Sequence, residues 1–118
     1  MTKPIVHHNP LYDLLRTEQV DEFNKRKAAG EVTEGLLRGG DFRGLDLRNL
    51  DADGLDLSNA YFRGADLRGI DFRNAKLEGA SFCQAHLSGC YFPKELAADE
   101  LRLSFDLGIR VRYIQAAP

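Results

Sequence analysis

Large apolar residues recur every five positions from Gly40 to Lys94 without insertion or deletion, and this period governs the reading of the chain. The centres are Phe42, Leu47, Ala52, Leu57, Phe62, Leu67, Phe72, Leu77, Phe82, Leu87 and Phe92. Two residues before each centre runs a second column, mostly small and apolar: Gly40, Leu45, Leu50, Leu55, Ala60, Ala65, Ile70, Ala75, Ala80, Ala85 and Cys90. The other three columns are polar or Gly. A period of five fits neither the 3.6 of a helix nor the 2 of a strand, so the chain must turn within every pentad to bury both columns. Gly or Asn two after most centres, as at Gly44, Asn49, Asn59, Gly64 and Gly79, suits the tight backbone of a corner. Each pentad therefore reads as a short extended side followed by a corner.

Stretches such as Ala65-Asp66-Leu67-Arg68-Gly69 and Ala75-Lys76-Leu77-Glu78-Gly79 resemble the pentapeptide-repeat family, whose pattern is a small residue, Asp or Asn, Leu or Phe, then two polar or small residues. The chain departs from that pattern at Leu45, Leu50, Leu55 and Ile70, where the small residue is bulky, and at Ala52, where the centre is small. The resemblance implies an all-β solenoid core, a right-handed quadrilateral β-helix of about three coils with four pentads to a coil. Side chains twenty residues apart should then stack: Phe42, Phe62 and Phe82 in one column, Leu47, Leu67 and Leu87 in the next, Leu57 under Leu77, and Ala52 beneath Phe72 and Phe92. Such columns bury most of their apolar surface, at roughly 1.5–3 kcal/mol per side chain.

A stack of coils leaves unpaired edges at both ends, and the flanks read as covers. Residues 1–39 form an N-terminal helical cap and connector, 40–94 the repeat, and 95–118 a C-terminal helix and strand cap, all within one domain. Asn9 and Pro10 open a helix with Leu11, Leu14 and Leu15 on its apolar face; a break falls near Thr17, and a second helix ends before Gly30. Gly35 to Gly39 is either connector or a degenerate twelfth pentad. A third helix is expected from about Ala98 to Leu107 with Gly108 as its stop, and the alternation Ile109, Arg110, Val111, Arg112, Tyr113 reads as a short strand. His7, His8 and the final Ala-Ala-Pro are expected to fray.

Composition names no partner. Sixteen Lys and Arg against eighteen Asp and Glu give a formal net charge of −2, and 43% apolar content is ordinary for a globular domain. No run is apolar enough to cross a bilayer, residues 1–10 lack the apolar stretch of a signal peptide, and two cysteines are too few for a disulfide framework, which together point to the cytoplasm. Cys83, His86 and Cys90 look like a metal cluster, but the register sends Cys90 inward, Cys83 outward and His86 outward from the neighbouring face, so they do not converge on one ion. Asp41, Asp46, Asp66 and Asp71, each with Arg two residues later, read as exposed ion pairs. There is no phosphate-binding loop, nucleophile motif or cofactor box, so no catalytic, metal or cofactor residue is assigned and an enzyme is not expected.

Two function classes follow. A rigid solenoid with no interior site suits a non-catalytic protein-interaction module of unidentified partner. Tyr61 and Tyr91 replace the usual Asp or Asn and should be exposed, and Tyr61 shares an outward face with Arg43 and Arg63, so Arg43, Tyr61 and Arg63 are the candidate partner-binding residues. The alternative comes from the resemblance, because some pentapeptide-repeat proteins linked to quinolone resistance imitate duplex DNA and bind DNA gyrase. Against it, the repeat segment carries eight carboxylates and seven basic side chains. Direct nucleic-acid or membrane binding is not expected. In the C-terminal helix Leu101 and Phe105 are expected to face the coil, leaving Leu103 and Leu107 to be covered either by the Ile109–Tyr113 strand or by a second subunit; a homodimer contact through Leu103, Leu107 and Val111 is the reading adopted.

Overall fold

The structure is a computed structural model, and it describes residue 4 and residues 9–114. The ends expected to fray, His7, His8 and the last three residues, lie outside the described residues.

From Asp41 to Tyr91 the chain winds in turns of twenty residues. Parallel bridges pair Asp41 with Tyr61, Asp46 with Asp66, Asp56 with Lys76, Tyr61 with Ser81, Asp66 with His86 and Asp71 with Tyr91. Each bridge uses two backbone hydrogen bonds, as where the Phe42 N–H donates to the Tyr61 carbonyl and the Tyr61 N–H to the Gly40 carbonyl, both at 2.9 Å. The extended side of a pentad is so short that pairing is confined to single residues between corners, and no longer strand forms among the described residues. The corners carry the strain that Gly and Asn were placed to relieve. Gly44, Gly64 and Gly79 have φ of +71°, +67° and +81°, and Asn49 and Asn59 adopt the same left-handed backbone.

Inside, the columns stack as the register requires. Phe42, Phe62 and Phe82 lie nearly parallel, with ring centroids 5.5 and 5.3 Å apart, and Phe72 stacks on Phe92 at 5.7 Å. Tyr12 lies edge-on to Phe42 at 5.7 Å and lengthens the first column by one ring. Leu47, Leu57, Leu67 and Leu77 are all buried. Between Asp41 and Tyr91 the one rung without a bridge joins Asp51 to Asp71, and it is the rung that carries the small centre Ala52. Gly35 to Gly39 is a twelfth pentad: Leu37 is buried in the centre position, and the Gly39 N–H reaches the Ser58 carbonyl at 2.8 Å with the offset used at Gly44 and Gly64.

Helix α1 (Pro10–Arg16) begins where Asn9 accepts the Tyr12 N–H on its side-chain oxygen, and α2 (Val20–Ala28) follows after a break at Thr17 and Glu18, the latter with φ of +62°. Three polar side chains from this region close the lower edge of the coil, one to each of three successive faces. The Tyr12 hydroxyl accepts the N–H of Asp41, the Glu18 carboxylate that of Asp46 and the Asn24 amide oxygen that of Asp51. Donors that would face water, or pair with another chain, are satisfied in place.

Helix α3 (Ala98–Leu107) stops at Gly108, which is left-handed at φ +74°. Its buried residue is Ser104, whose hydroxyl accepts the Phe82 N–H at 2.9 Å, while Leu101 and Phe105, expected to dock it, are only partly covered. Residues 109–113 are not a regular strand. Val111 alone pairs with the coil, donating to Ala80 and accepting from Gly79, and Tyr113 reaches over to accept the Leu77 N–H at 2.8 Å. No helix among the described residues is long and apolar enough to cross a membrane.

Candidate functional site

The faces of the coil are covered by repeated Asp–Arg pairs. In each of Asp41/Arg43, Asp46/Arg48, Asp66/Arg68 and Asp71/Arg73 the carboxylate accepts the backbone N–H of the arginine and, with both oxygens, its guanidinium. Two residues of extended backbone followed by a corner bring side chains at i and i+2 onto one outer edge, so every such pentad carries its own counterion. Hydrogen bonding to Arg68 holds the Asp66 carboxyl down to about 2, with the charge of Arg48, 3.4 Å away on the rung below, adding to it. Asp41, Asp46 and Asp71 are held low in the same way, each first by the arginine two residues on.

Asp66 titrates lower folded than unfolded, where a carboxyl sits near 3.9, so its contribution to stability is fully present above about pH 4 and lost as pH falls through about 2. A carboxyl-carbon NMR titration should place its midpoint near pH 2, and Arg68→Gln should raise it towards the ordinary value. A midpoint unmoved in Arg68→Gln would show that the pair does not exist in solution.

Arg63 breaks the pattern. Tyr61 stands where its carboxylate should be, and Arg63 makes no ion pair among the described residues. The structure brings the sequence-predicted Arg43, Tyr61 and Arg63 together along one groove, whose opposite wall is Asp106 to Arg110 from the C-terminal segment. Tyr61 is half-buried rather than exposed, because Arg110 lies over its ring at 5.6 Å and donates to its hydroxyl at 2.7 Å. Tyr91 is exposed as expected, with Arg73 over its ring at 4.6 Å. Leu107, 70% exposed, also lines the groove, and Leu103 lies exposed one turn back on the same helix. Val111 corrects the sequence reading: it is 1% exposed, pinned inward by its two bonds to the coil, and offers no surface to a second subunit.

Ile109 and Arg110 were not singled out by the sequence for this groove. They arrive there because the chain reverses at Gly108, whose Cα packs against Cys83 so closely that an added Cβ would touch its sulfur at 3.5 Å. That contact also explains why Cys83 is buried although its register points it away from the coil axis. Cys90, expected to be buried, is half-covered and donates its S–H to the Leu67 carbonyl at 2.9 Å; desolvation raises its pKa and keeps the proton in place. No group of three metal-ligating side chains comes together among the described residues.

A chain wound in twenty-residue turns around stacked Phe and Leu, with fixed polar rows outside, is a repeat solenoid whose chemistry lies on its surface. The sequence model of the family described as Pentapeptide repeats matches residues 36–69 and 65–94, with eight copies. The chain belongs to the pentapeptide-repeat family. Neither a curated protein nor a solved structure matches it.

Proposed function

We propose that the chain is a right-handed quadrilateral β-helix acting as a non-catalytic protein-interaction module, and that its partner docks in the groove between Arg43, Tyr61 and Arg63 and the Leu107–Arg110 segment. The hand of the coil follows the family. The observation that carries the docking site is Arg63, a cation without its counterion in a surface where the equivalent arginines are neutralised, placed beside an aromatic ring and an exposed leucine. Arginine and tyrosine around an apolar centre are the residues on which interface energies concentrate, and a lining with Arg43, Arg63 and Arg110 against Asp106 favours an acidic partner segment. Both cysteines are free thiols, which supports a reducing compartment such as the cytoplasm.

Arg63→Ala should leave the melting transition within about 0.5 kcal/mol of wild type, because the side chain is exposed and unpaired. Arg63→Glu should abolish recovery of the partner in affinity capture from lysate read by mass spectrometry, while Arg102→Glu on the exposed side of α3 should not. Equal recovery by wild type and Arg63→Glu would remove the groove from the interface.

The alternative reading is a DNA-mimic regulator that binds DNA gyrase; the paired arginines on the faces weigh against it, and capture of gyrase subunits with inhibition of supercoiling would establish it. Exposed Leu103 and Leu107 support a homodimer contact through α3. Light scattering separates the two states, since the monomer is 13.2 kDa and Leu103→Glu with Leu107→Glu should return a dimer to that mass.

A further inference from the structure

The two ends of the coil are finished differently. At the C-terminal end the segment after the repeat satisfies the upward-pointing backbone groups of two faces: the N–H groups of Leu77, Gly79, Phe82 and Gln84 donate to Tyr113, Val111, Ser104 and Phe105. On the next two faces the same kinds of group have no partner among the described residues. The carbonyls of Ala85 and Cys90 and the N–H groups of Leu87, Gly89 and Phe92 occupy the positions that one turn below, at Ala65, Leu67, Gly69, Ile70 and Phe72, are all paired. The centres beneath this edge, Leu87 and Phe92, are only half-buried, unlike Leu67 and Phe72 below them.

We propose that this open edge, from Ala85 to Phe92, takes an extended acidic segment of a partner protein as one more rung. The unpaired groups fix the occupant's backbone. A single strand running parallel to the coil and turning one corner would donate to Ala85 and Cys90 and accept from Leu87, Gly89 and Phe92, with apolar side chains five residues apart over Leu87 and Phe92. Charge within the edge favours an acidic occupant, the next carboxylate along the chain being Glu95. No carboxylate occurs between Ser81 and Lys94, and Lys94, where the edge ends, makes no ion pair among the described residues. A second copy of this chain does not fit as well. Helix α3 stands over the adjoining face, bonded to it through Ser104 and Phe105. Its diameter of about 10 Å holds two copies meeting end to end further apart than the strand spacing of about 4.8 Å.

The test uses the full chain and an acetylated peptide, Ala-Asp-Leu-Glu-Gly-Ala-Asp-Phe, that carries the required spacing and charge. Hydrogen exchange followed by NMR should slow by about tenfold or more at the Leu87, Gly89 and Phe92 amides in saturating peptide, and much less at other coil amides. Lys94→Glu should weaken the binding several-fold, and a peptide with Ser in place of its Leu and Phe should give no protection. Unchanged exchange at millimolar peptide would overturn the proposal, and so would equal protection by the Ser peptide. A dimer by light scattering in which these amides are already protected would assign the edge to a second copy and overturn it as well.

Discussion

Phe62→Ala is expected to destabilise the fold by about 3–5 kcal/mol, the usual cost of deleting a fully buried aromatic ring. Phe62 is fully buried and is stacked face to face between two phenylalanines of its column, 5.5 Å from Phe42 and 5.3 Å from Phe82, and it also meets Phe72 at 6.4 Å across the core. The coils are joined outside by single-residue bridges, so the backbone cannot collapse into the space without breaking those at Tyr61 on either side. Phe82→Ala removes a ring at the end of the column, where the cap can partly close the gap, and should cost less. Denaturant unfolding of both variants checks the order; a Phe62→Ala midpoint equal to wild type would mean that the rings do not stack as described.

Ser104→Ala is the second large expectation, at about 1–3 kcal/mol for a change of one oxygen, because it leaves the Phe82 N–H buried without an acceptor. The effect should be local as well as global. The Phe82 amide should exchange markedly faster in Ser104→Ala, and the Gln84 amide, held by the Phe105 carbonyl in the same turn of helix, should follow it. A Phe82 amide that stays protected would show that α3 docks through its apolar residues alone.

The inner columns were legible in the sequence because a five-residue period sustained over eleven pentads leaves few ways to bury Phe and Leu together. The start of α1 and the end of α3 were legible because Asn9 and Gly108 are strong capping residues. What was not legible is how the edges are closed. Tyr12, Glu18 and Asn24 sit on a short helix, a break and a second helix, and nothing local distinguishes them from solvated residues; their role depends on the height at which the helices meet the coil. Ser104 does not stand out beside Leu101 and Phe105, because apolarity marks a docking face more visibly than one hydroxyl that matches one orphan donor. Of the groove, the three residues within the repeat followed from register. Arg110 did not, since it lies on Tyr61 only after the chain has turned back at Gly108. Val111 reads as one side of an alternating strand, but in the structure it is the tail residue whose backbone pairs with the coil, at Gly79 and Ala80.

The twenty-residue turn gives the molecule a frame in space, comparable to the reading frame of a message. Insertion of twenty residues after Gly69 would add a storey and leave every face above it in line, with Phe82 still in the column of Phe42 and Phe62 and α3 still over the same side. Insertion of five would rotate everything beyond it by one face, placing Phe82 over the leucine column that holds Leu67 and carrying Arg110 away from Tyr61. Insertion of one would turn the centres themselves outward. Length in this fold is therefore tolerated in whole turns, altered in function by quarter turns, and fatal in smaller steps.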